Sequence, residues 1–72
     1  MGIELTPREI EILQCLLDNN GNIDSVAEKL FISKSTVRNH LHLNIYKKLM
    51  VNSLLGAIKV ALVKDLIFIS LE

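Results

Sequence analysis

Tryptophan is absent from the 72 residues, and proline and cysteine each occur once. The lone Cys15 has no second thiol for a disulfide or a cysteine-based metal site, and it lies in an apolar stripe, so it is expected as a small core residue. No apolar run approaches the roughly 18 residues needed to span a membrane, and no basic-then-apolar leader precedes a small-residue cleavage site. The expected location is the cytoplasm, with no membrane partner. No Ser, His and Asp set, paired-carboxylate site or phosphate-cradling pattern stands out, so neither an enzyme nor a cofactor is expected. His40 and His42 are two apart on a helix and point in different directions, which rules out a shared metal. His40 is expected to be packed and hydrogen-bonded instead.

What is present is helix-period hydrophobicity. Half the residues are apolar, and with the scarcity of proline their spacing predicts an all-α fold of four helices, over about 7–18, 23–30, 34–49 and 54–67, with a helix-turn-helix at the centre. So short a chain forms one marginal core, for which association is a reasonable expectation. Thr6-Pro7-Arg8-Glu9 is a helix start with Thr6 as cap, Pro7 in the first helical position and Glu9 closing a capping box, while Leu5 can staple onto Ile10. Asn19-Asn20-Gly21-Asn22 is turn chemistry, with Gly21 free to take positive φ and Asn22 able to cap the second helix.

Val26, Ala27 and Leu30 have the spacing of a buried helical face, Phe31-Ile32 forms a turn, and Ser33 offers a hydroxyl to a new first turn. At about 100° per residue, Ser35, Arg38, Asn39 and His42 share one face of that third helix and Val37, His40 and Leu41 lie opposite. Arg can make two hydrogen bonds to guanine and Asn two to adenine in the DNA major groove. Arg38 and Asn39 are therefore base-reading candidates, although a merely solvated polar face fits the same pattern. The zero formal net charge conceals a segregation: residues 1–28 hold six acids and one base, whereas residues 29–48 hold Lys29, Lys34, Arg38, Lys47 and Lys48 and no acid. A basic patch thus surrounds the candidate reading helix, with Lys34 among the groups placed to neutralise phosphates.

The fourth helix is apolar on two sides. Leu54, Ile58, Ala61 and Leu62 can cover the core, while Gly56, Val60, Val63 and Ile67 form a second stripe that needs a partner. A two-fold copy of the same helix would serve, as would a preceding domain in a longer protein. Phe68-Ile69-Ser70-Leu71 continues the apolar character, so residues 5–67 are expected as the domain and 68–72 as an apolar extension.

Leu5-Thr6-Pro7-Arg8-Glu9, Glu11-Ile12-Leu13, Ala27, Leu30, Ile32-Ser33, Thr36-Val37-Arg38, His40 and Lys48-Leu49 together resemble the LuxR-type (GerE-type) DNA-binding domain of bacterial transcription regulators, over roughly residues 5–67. The resemblance implies a sequence-specific DNA-binding transcription regulator that dimerises through its fourth helix on inverted repeats, often behind a sensing domain. It makes Arg38, Asn39 and His42 base-facing, places Ser35, Thr36, Lys47 and Lys48 at the DNA backbone, and gives Glu9 and Glu11 structural roles. Asp24 stands where the family usually has a base, Met50 where it has Gly, and Leu54 where it has Arg; the loop before Asn22 is one residue longer. These departures leave open a LuxR-like module with weakened DNA binding that acts through protein contacts. An extra residue between His40 and Ile45 would turn the rest of the third helix by about 100°. A single π-bulge near His42 to Asn44 would absorb it and return Ile45 and Leu49 to the core.

Overall fold

The computed structural model describes residues 4–70, and within them every regular element is helical. Helix α1 spans Pro7–Asp18 and α2 spans Ile23–Leu30. The third helix, α3, is continuous over residues 34–49 but changes winding twice: Lys34–Asn39 is α-helical, His40–Ile45 is a π-helix and Tyr46–Leu49 is α-helical again. Helix α4 spans Leu54–Val63. The second and third helices with the turn between them form the expected helix-turn-helix.

Each α-helical start is fixed locally. The Thr6 hydroxyl accepts from the Glu9 amide at 3.2 Å, and the Glu9 carboxylate accepts from the Thr6 amide at 2.8 Å, which completes the capping box. Asn22 caps α2 through the Ser25 amide at 3.1 Å, Ser33 caps α3 through Thr36 at 3.0 Å, and Ser53 caps α4 through Gly56 at 3.1 Å.

The helix ends share a second device. Asn20, Phe31, Met50 and Asp65 all take φ near +60°, and the amide of the following residue reaches back five positions: Gly21 to Leu16, Ile32 to Ala27, Val51 to Tyr46 and Leu66 to Ala61. These are Schellman closures, and none uses glycine at the left-handed position. Gly21, at φ +78°, does take the expected positive φ, one place after Asn20.

The core is built from Ile12, Leu13 and Leu16 of α1, Val26 and Ala27 of α2, Val37, Leu41, Ile45 and Leu49 of α3, and Ala57 and Ala61 of α4. Cys15 is half-buried against it. Leu54, also packed against the core, lies beside Gly21, where a Cβ would approach its Cδ2 to 3.4 Å. The residue that departs from the family pattern therefore supports the lengthened loop.

The fourth helix stops short of its expected end at 67. It closes at Val63, with Asp65 left-handed and its amide bonded to the Leu62 carbonyl at 3.1 Å. The chain then folds back on α1, where the Gln14 side chain accepts from the Phe68 amide at 2.9 Å and donates to the Phe68 carbonyl at 2.8 Å. Ile67 is drawn under this clip and is only 1% exposed. It belongs to the core and not to the outward stripe in which its sequence spacing places it. Phe68 and Ile69 are exposed, and Leu71 and Glu72 of the expected extension lie outside the described residues.

Candidate nucleic-acid interface

The winding of α3 decides which side chains point outward. Val37, Leu41, Ile45 and Leu49 are spaced four apart, and all four are buried. In an uninterrupted α-helix that spacing drifts by about 40° per step, some 120° from Val37 to Leu49, and would carry Leu49 off the core. The wider π turn, in which the Tyr46 amide bonds back to the Leu41 carbonyl, removes that drift. The extra residue is thus absorbed where expected, and Ile45 and Leu49 return to the interior. The same winding keeps a second four-spaced row, Ser35, Asn39, Leu43 and Lys47, on the opposite side, and all four of these are exposed.

Arg38 and His42 lie on the flank of that row, both exposed. His42 rests its ring against Tyr46, with centroids 5.0 Å apart at 76°, an edge-on contact that draws it toward the helix side. Tyr46 itself is buried, and burial raises its hydroxyl above the ordinary tyrosine value. His40 occupies the other flank, half-buried. Its Nδ1 is enclosed without a hydrogen-bond partner, so this histidine is packed but, at that atom, not hydrogen-bonded. Among the described residues, no group of three or more His, Cys, Asp or Glu side chains could hold a metal ion.

At the start of α3, Ser33 and Thr36 share a hydroxyl contact of 2.8 Å beside the cap, which fixes the Thr36 side chain on the first turn. Lys34 is 3.4 Å from Asp24 of α2, with both side chains more than half exposed, so the pair is weak and Lys34 stays free to turn to another anion.

Lys48 differs. Its ammonium meets the Glu9 carboxylate at 2.8 Å, and Glu9 is only 4% exposed. Burial pushes the Glu9 carboxyl up, but the Lys48 hydrogen bond, the Thr6 amide and the Lys48 charge together outweigh it and hold the group below the ordinary value. Lys48 therefore ties α3 to the start of α1, an ion pair that competes with the role at the DNA backbone that the family resemblance gives it. Glu9 has the structural role expected of it. Arg8 and Glu11 form a separate exposed pair.

The expected partner-seeking stripe of α4 is only partly outward. Val63 is 83% exposed and Leu55, from a neighbouring position, 64%, while Gly56 and Val60 are half-buried. A Cβ on Gly56 would meet Ser53 Oγ and Val51 Cβ, both at 3.3 Å, so this glycine admits the preceding loop against the helix. Two features were missed in the sequence. Leu43 escaped because a face drawn at α-helical pitch omits it, although four-residue spacing from Ser35 would have found it. The Glu9 to Lys48 pairing spans 39 positions and has no local signal.

The sequence profile of the family described as bacterial regulatory proteins, luxR family, matches residues 4–61. Among solved structures, the chain is similar to the response regulator ChrA of a heme-sensing two-component system, at 42% identity and a TM-score of 0.79. The match covers 92% of this chain and 32% of that one, so the chain spans about a third of the length of ChrA. No curated protein matches the sequence.

Proposed function

Because the chain belongs to the luxR family of bacterial regulatory proteins, we propose that this DNA-binding transcription-regulator domain reads a specific operator by placing α3 in the major groove. Arg38 and Asn39 contact base edges, and His42 reaches the same groove from beside Tyr46. Lys34, Ser35, Thr36 and Lys47, with the amides of the first turn of α3, hold phosphates. The observation that carries this reading is the exposed polar face of α3, which begins at a capped amino terminus and lies in a segment, residues 29–48, without a single acid. Two copies meet through Leu55, Gly56, Val60 and Val63 of α4 and read an inverted repeat, and Ile67 is excluded from that contact by its burial. The input signal arrives from a separate domain, as the similarity to about a third of a response regulator supports.

Selection from a random-sequence duplex pool at two salt concentrations tests the reading, with wild type compared against Arg38→Ala. An inverted-repeat motif that disappears in the variant, and an affinity that falls steeply with salt, is the expected result. No enrichment at either salt overturns it. One observation favours a second reading, that the domain acts through protein contacts with little DNA affinity: two of the five bases of residues 29–48 face carboxylates, Lys34 at Asp24 and Lys48 at Glu9. Under that reading Arg38→Ala leaves regulation intact and Val60→Glu abolishes it.

A further inference from the structure

We propose that Leu43 is a specificity-determining residue that selects a thymine through its 5-methyl group. The inference rests on the DNA-reading role proposed above and adds to it a contact of a different chemistry. Leu43 is 58% exposed, although it lies in the middle of a helix whose opposite face is fully packed. It stands in the outward row directly between Asn39 and Lys47, and the π winding keeps it there.

A lone exposed leucine is ordinary on a protein surface. This one is set into the most basic segment of the chain, one turn beyond a candidate adenine reader, where an apolar group has one natural counterpart on a major-groove edge, the thymine methyl. His42, which would otherwise occupy the centre of the face, leans instead on Tyr46. Leu43 thus stands at the middle of the reading surface, with the His42 imidazole beside it on the flank. Leu43 lies about 6 Å along the helix from Asn39. Its thymine is therefore expected within about two base pairs of the base that Asn39 contacts.

The test uses the full chain and the duplex it selects from a random pool, with each thymine replaced singly by deoxyuridine so that only a methyl group is lost. For wild type, one such replacement near the Asn39 base weakens binding about fourfold, the effect of one buried methyl group. The same replacement leaves Leu43→Ala unchanged. Because the side chain is largely exposed, Leu43→Ala is expected to melt as wild type does. Wild-type binding indifferent to every deoxyuridine, or an equal loss in Leu43→Ala, overturns the proposal while leaving an Arg38-dependent motif standing. Absence of any Arg38-dependent motif overturns the DNA-reading role and this proposal together.

Discussion

Glu9 and Lys48 show how one residue pair can set a pH response. The folded-state carboxyl of Glu9 titrates below its ordinary value of 4.5, so its contribution to stability is fully present above that pH and is lost as pH falls through the lower folded value. Lys48→Met removes the partner and leaves a charge buried against the start of α1. At neutral pH it should cost about 2 kcal/mol, less than a fully buried pair because the Lys48 side chain keeps some contact with water. Urea melts of wild type and variant should therefore converge as pH falls through the lowered folded value of Glu9, below which the group is neutral in both; a constant gap would refute the pairing. Met50 makes the opposite kind of prediction. It holds φ +59° while 90% exposed, so its side chain packs against little and its Cβ strains the turn. Met50→Gly should raise stability by roughly 0.5–1 kcal/mol in thermal melts, since relief of strain exceeds the added freedom of the unfolded chain.

The third helix carries a different lesson, because its winding and not its composition chooses the outward face. Deleting Asn44 leaves Val37, Leu41, Ile45 and Leu49 at spacings of four, three and four, the pattern an ordinary α-helix buries. That variant should keep its stability within about 1 kcal/mol of the parent and show a continuous ladder of i to i−4 hydrogen bonds by NMR. The helix starts were legible in the sequence because each depends on neighbours, a hydroxyl or amide side chain three residues before an unpaired amide, whereas the π turn was legible only against the family pattern, as one residue too many between His40 and Ile45. The end of α4 was not. Its closure depends on Asp65 taking a left-handed conformation that favours glycine, and on Gln14 clipping Phe68 across 54 positions. Ile67 continues the periodicity of the fourth helix in sequence, yet the chain has already turned back, and it enters the core from another direction. For the same reason the outward face of α4 centres on Leu55 and Val63, where periodicity alone had included Ile67.

At the scale of the whole molecule, the zero net charge conceals how many cations are available to nucleic acid. Of the five bases in residues 29–48, Lys48 is held by Glu9, which leaves Lys29, Lys34, Arg38 and Lys47, all exposed. Each phosphate neutralised adds about −0.9 to the slope of log affinity against log salt. With Arg38 at a base edge, Lys29, Lys34 and Lys47 are left for phosphates, so one chain should show a slope of at most about −2.7 and two chains on an inverted repeat about −5.4. The two limits separate the oligomeric question from the recognition question. Wild type is expected near the steeper value on its selected repeat and near the shallower one on a half-site. Val63→Glu places a charge on the most exposed apolar residue of α4, so it should bind the full repeat with the half-site slope and melt within about 0.5 kcal/mol of wild type. Filter-binding titrations across a salt series, with sedimentation of the free protein, distinguish the cases. A steep slope that survives Val63→Glu would move the contact between copies to another surface, while a slope near zero for wild type would mean that the exposed cations do not meet phosphate at all.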